Sequence, residues 1–127
     1  MPLIFQHRIY RSDLQHNPDV LYIFGDNEAR KGLGGQAREC RGEPNAVGIA
    51  TKSLPSRNND AFWSDDNYDH NITVLSQDLA PVIEHLREGG IAVFPSDGIG
   101  TGLSELPKRA PKTFEFIRQQ TLMMKSL

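Results

Sequence analysis

The sequence predicts an α/β fold, a three-layer α/β/α sandwich, and three observations predict it. Val20-Leu21-Tyr22-Ile23-Phe24, Ala46-Val47-Gly48-Ile49-Ala50-Thr51 and Ile91-Ala92-Val93-Phe94 are short apolar runs suited to central strands. Between the second and third runs, Ile72, Leu75, Leu79, Val82, Ile83 and Leu86 keep the helical period. Two of the runs feed glycine-rich segments, 31–37 and 98–102, and then helix-compatible residues.

Composition bounds the function. The chain has 127 residues, read as one domain that can bury a single ordinary core. Apolar residues make up 38%, so a sizeable share is expected as loop. With 14 basic and 16 acidic residues the net charge is −2, which gives no electrostatic case for wrapping a nucleic-acid backbone. No apolar run approaches the ~20 residues of a membrane helix. Residues 1–8 lack a signal-peptide layout, so a cytoplasmic protein is expected. The single cysteine, Cys40, rules out an internal disulfide and reads as a small core residue. His7, His16, His70 and His85 lack metal-ligand spacing, and neither a metal nor a cofactor is expected.

Each element then follows in order. Residues 3–10 put Leu3, Phe5 and Ile9 on one side and Gln6, Arg8 and Tyr10 on the other, the pattern of a strand near a sheet edge. Residues 13–19 form a polar connector. The run at 20–24 is apolar on both faces, and ends at Gly25-Asp26-Asn27. The third strand, weakened by Gly48, delivers Thr51, Lys52 and Ser53 to its carboxyl end. Residues 54–69 are polar and irregular around Phe62 and Trp63, long enough to suggest a binding segment. Asn71 is placed to cap the long helix, Pro81 to kink or split it, and Gly89-Gly90 to stop it. Pro107 or Pro111 opens the last helix, which is expected to bury Phe114, Ile117 and Leu122 before residues 123–127 fray.

In parallel α/β sheets, ligands bind beyond the carboxyl ends of the strands. Loops 25–36, 51–54 and 96–104 are therefore expected to open on one edge. Glycines at 98, 100 and 102 let backbone N–H groups approach an anion, commonly a phosphate; a tight turn without a ligand is the alternative. Two such loops facing each other suit a diphosphate. Neither loop ends in Gly-Lys-Ser/Thr, which speaks against nucleoside triphosphate hydrolysis, and no Gly-x-Gly-x-x-Gly follows the first strand.

The segments Gly32-Leu33-Gly34-Gly35-Gln36-Ala37, Thr51-Lys52 and Ile99-Gly100-Thr101-Gly102-Leu103 together resemble the ligand loops of macro domains. The likeness is to the branch holding the terminal ADP-ribose glycohydrolase and the DNA ADP-ribosyl glycohydrolase antitoxins, and to small phage and bacterial macro-like proteins. It covers roughly residues 20–120. It implies a compact macro-like sandwich on a mixed sheet, one or two outer strands or a helix short of the usual domain. It also implies an ADP-ribose-type ligand, either a small molecule or the modification on an ADP-ribosylated macromolecule. Loop 31–36, with Gly32, Gly34, Gly35 and Gln36, would take the distal ribose side. Gly98, Ile99, Gly100, Thr101, Gly102 and Leu103 would take the phosphates, Asp26 and Asn27 the adenine amine or ribose hydroxyls, and Thr51 would line the site. In the hydrolytic branch a lysine attacks the anomeric carbon and a late-loop acid assists. Lys52 fits the first role, with a plain phosphate contact or a surface lysine as its alternatives. Ser104 stands where the branch has aspartate, which leaves Asp97 or Glu105 for the second. Three functions follow as expectations: an ADP-ribose binding module, an ADP-ribosyl hydrolase, and an interaction protein without a pocket.

Overall fold

Every strand is followed by a helix, which returns the chain to the same end of the sheet and makes parallel pairing the only short solution. A computed structural model describes residues 2–127. In chain order it comprises β1 (Leu3–Gln6), α1 (Arg11–His16), β2 (Leu21–Asp26), α2 (Ala37–Cys40), β3 (Ala46–Ala50), α3 (Tyr68–Arg87), β4 (Ala92–Pro95), α4 (Leu106–Arg109) and α5 (Pro111–Lys125). Short 3-10 turns at Asn59–Ala61 and Asp65–Asn67 lie between β3 and α3. The strand order is β1-β4-β2-β3, and all three pairings are parallel. The mixed sheet implied by the resemblance is not found among the described strands. Antiparallel pairing is confined to one bridge, Lys52 with Phe62, where the loop after β3 doubles back.

Side-chain alternation divides the core between two faces. Tyr22, Phe24 and Val93 pack with Ile9, Leu14, Ala37 and Cys40, so α1 and α2 cover one face. Ile23, Ile49, Ala92 and Phe94 pack with Leu75, Leu79, Val82, Leu86, Ile117 and Met124, so α3 and α5 cover the other. β1 lies at the edge, as its half-wet pattern predicts, but it ends at Gln6 and Ile9 is buried beyond it. Among the described residues no helix is long and apolar enough to cross a membrane.

The helices depart from expectation in readable ways. α3 is one element through Pro81, not two. Pro81 and Gln77, whose carbonyl loses its helical donor, both lie on the exposed side, where water can replace it. Asn71 does not cap this helix. It is fully buried one turn in, donating to the Ser64 carbonyl and the Thr113 hydroxyl, while Asn67 stands at the start. Leu122 faces solvent, and Met124 is buried in its place. The tail therefore does not fray early: α5 continues to Lys125.

Candidate functional site

Parallel pairing brings the carboxyl ends of β2, β3 and β4 to one edge. The segment leaving β2 leads to α2 on one face of the sheet, and the segment leaving β4 leads to α5 on the other. Connections that diverge from adjacent strands open a crevice between them. Loops 27–36 and 96–105 flank it.

Asp26 closes β2 and is 8% exposed. Its carboxylate accepts from the Asn27 N–H and from Arg41, with Arg30 at 3.7 Å. Arg30 also binds Asp78, whose other role is to accept the Ala50 N–H. Asp26 is thus a structural anchor for two arginines. Gly48 makes room for it: a Cβ there would lie 2.5 Å from the carboxylate. Asn27 donates to the Lys31 carbonyl, but its own Oδ1 is buried without a donor among the described residues. Gln36 accepts the Ile9 N–H, and the Thr51 hydroxyl donates to the Asp26 carbonyl, so both tie loops together.

Lys52 is 8% exposed, and its ammonium donates to the Ser56 carbonyl. It lies 4.4 Å from the centre of the Phe62 ring, and Arg109 stacks on the same ring at 3.7 Å. Burial lowers the Lys52 pKa; Glu105 opposes this, while Arg109 and Arg57 reinforce it. Glu105 pairs with Arg109 at 3.3 Å. Beside this group, Glu28 accepts from the Trp63 indole and from Ser53, and meets His70 at 2.7 Å, pinning the 53–63 segment. Trp63 is buried by this and belongs to the core.

The two glycine loops touch. A Cβ on Gly34 would lie 2.8 Å from Leu103 Cδ1, and one on Gly32 would lie 3.0 Å from Pro55. Gly35 and Gly98 turn the chain with positive φ. Gly100 does so at φ +92, in a place where any Cβ would strike Leu106. Gly102 opens on free space, and the Thr101 hydroxyl folds back on the Asp97 carbonyl. Two non-glycine residues also adopt left-handed backbone, Arg30 and Glu105, one in each loop. Such strain gathers at functional segments. Most telling are the backbone donors. The N–H groups of residues 31–36 and 99–104 find no backbone or side-chain acceptor among the described residues. The helices that follow, α2 and α4, have four residues each, so their dipoles add little field at these loops.

Three of the predicted residues line a second groove. Asp97 faces a groove beside α5, together with Gly98 and Ile99, and no contact links it to Lys52. The sequence reading also passed over Arg41, Arg30, Asp78 and Glu28, whose partners are distant in sequence. The i,i+4 spacings of Asp26 with Arg30 and of Glu105 with Arg109 were the local signals on offer.

A family pattern matches residues 4–120. The chain belongs to DUF7831, a family of unknown function. No curated protein and no solved structure matches it. In this DUF7831 chain no cluster of three or more His, Cys, Asp or Glu among the described residues could hold a metal ion. The crevice presents loop amides without acceptors among the described residues and an amine of lowered basicity.

Proposed function

We propose that the chain is a macro-like domain that binds ADP-ribose or a related NAD-derived nucleotide between loops 31–36 and 98–103. One observation carries this reading: two runs of unpaired N–H donors meet across the crevice between β2 and β4. A diphosphate supplies anionic oxygens to both runs at once. The unpartnered Asn27 Oδ1 suits an amine or hydroxyl of the ligand, whereas Asp26 and Gln36 act by holding the loops. Binding at 100-fold over the dissociation constant stabilises the native state by ~2.7 kcal/mol. A rise in melting temperature with ADP-ribose is the expected result. No rise with ADP-ribose, NAD or cyclic ADP-ribose, from a folded sample, sinks the reading and favours an interaction protein.

A second reading is favoured by Lys52. Its buried amine, with lowered pKa, has the character of a nucleophile toward an anomeric carbon. In this reading an ADP-ribosyl glycohydrolase acts on modified protein or nucleic acid. Glu105, adjacent to Lys52 in the electrostatics of the site, then stands as the assisting acid in place of Asp97. Release of ADP-ribose from a modified substrate is expected to be lost in Lys52→Ala and reduced in Glu105→Gln. Release that survives Lys52→Ala rules this mechanism out.

A further inference from the structure

The groove that holds Asp97 is a site in its own right. It measures about 340 Å³, within the ~300–1,000 Å³ range of small-ligand sites. It lies at the carboxyl ends of β1 and β4, against α5, and no residue of 31–36 lines it. Its walls carry two phenyl rings, Phe5 and Phe114, and two cations, Arg118 and Lys125. Lys125 lies 5.1 Å from the centre of the Phe5 ring and pairs with no carboxylate among the described residues. Arg118 pairs only with Glu115, and both are half exposed or more. Gly98 turns at φ +82, and nothing lies within 4 Å of where its Cβ would be, so the floor of the groove is open backbone. The Asp97 carboxylate has no side-chain partner among the described residues.

We infer that this groove binds a small planar aromatic ligand bearing one anionic group, of the nucleoside monophosphate class. The part-exposed rings of Phe5 and Phe114 take the planar ring. Lys125 and Arg118 take the anion at the open end, where an ammonium already rests over an aromatic face. Asp97 accepts from a hydroxyl or amine between the two, which selects against simple anions. The inference does not rest on the crevice: the groove takes residues 96–99 of the late loop and none of 31–36 or 100–104.

The test is a titration of the whole chain followed by amide NMR, with AMP, adenosine and inorganic phosphate as separate probes. AMP is expected to shift the amides of Gly98, Thr121 and Lys125 saturably, and more strongly than adenosine or phosphate does. Lys125→Glu is expected to weaken AMP about tenfold, ~1.4 kcal/mol. Phe5→Ala is expected to weaken both AMP and adenosine. Both side chains are exposed enough for the variants to fold, and the dispersion of the same spectra checks that. The inference is overturned by an absence of shifts, by shifts confined to 31–36 and 100–104, by phosphate matching AMP, or by an unchanged affinity in Lys125→Glu.

Discussion

The Lys52 amine sits against Phe62 with one carbonyl acceptor, and its titration is measurable on its own. Burial penalises the ammonium, so the folded chain releases this proton at lower pH than the unfolded chain does. Between those two values the unfolded chain binds more protons, and stability rises with pH. Below the folded value the burial penalty is present in full. After reductive methylation with labelled formaldehyde, the Lys52 signal is predicted to titrate below those of the other lysines. A signal that titrates with them contradicts the description of this site. Gly48 supplies a second residue-scale prediction. Gly48→Ala forces Asp26 aside and disturbs its pairs with Arg41 and Arg30, at a cost of about 1–3 kcal/mol. Thermal unfolding reads it, and an unchanged melting temperature would show that Asp26 moves freely. None of this was legible in the sequence, where Gly48 registered only as a weakened strand. The contact sets the Asp26 carboxylate against the Gly48 backbone on the neighbouring strand, and no local pattern encodes it.

Among the elements, α5 depends on a cap from elsewhere. Its own N-cap is Ala110, which has no side-chain acceptor. Asp65 serves instead, accepting the N–H groups of Lys112 and Thr113 and the Thr113 hydroxyl. Burial pushes the Asp65 carboxyl up, but these hydrogen bonds outweigh it and hold the pKa below the usual carboxylate value. A depressed folded pKa means that Asp65 contributes stability above its unfolded value, ~3.9, and that the contribution is lost as pH falls through the lower folded value. Asp65→Ala is predicted to cost about 1 kcal/mol at pH 7 and to flatten the acid limb of stability against pH. Equal acid slopes in the two proteins would contradict the capping role. The element boundaries follow the same lesson. β2 was legible because Leu21 to Phe24 are apolar on both faces. Pro81 misled because its effect depends on which side of the helix meets water. Met124 and not Leu122 is buried because it lies seven residues after Ile117 and shares its face of the helix, whereas Leu122 lies five after and does not.

At the scale of the whole molecule, the order of strands and glycine loops was readable, and so was parallel pairing of the central runs; the mixed sheet came from the family resemblance and not from the residues. Short apolar strands separated by helical stretches point to an α/β fold, and the loops at 31–36 and 98–103 do converge at one sheet edge. Their contact through Gly34 and Leu103, the roofing of Gly32 by Pro55 and the departure of Asp97 to the α5 groove are long-range facts of packing. They also decide which variants are informative. Gly100→Glu would strain a left-handed residue and strike Leu106, so lost binding would be confounded with lost folding. Gly102 has ordinary φ and open space where its Cβ would lie, so a charged side chain there alters the late loop without disturbing the fold. The most direct measurement is calorimetric titration of ADP-ribose into the chain and into Gly102→Glu. The account predicts saturable one-to-one binding in the first and none in the second, at equal melting temperatures. No heat from the folded wild-type chain, or equal binding in both, would contradict it.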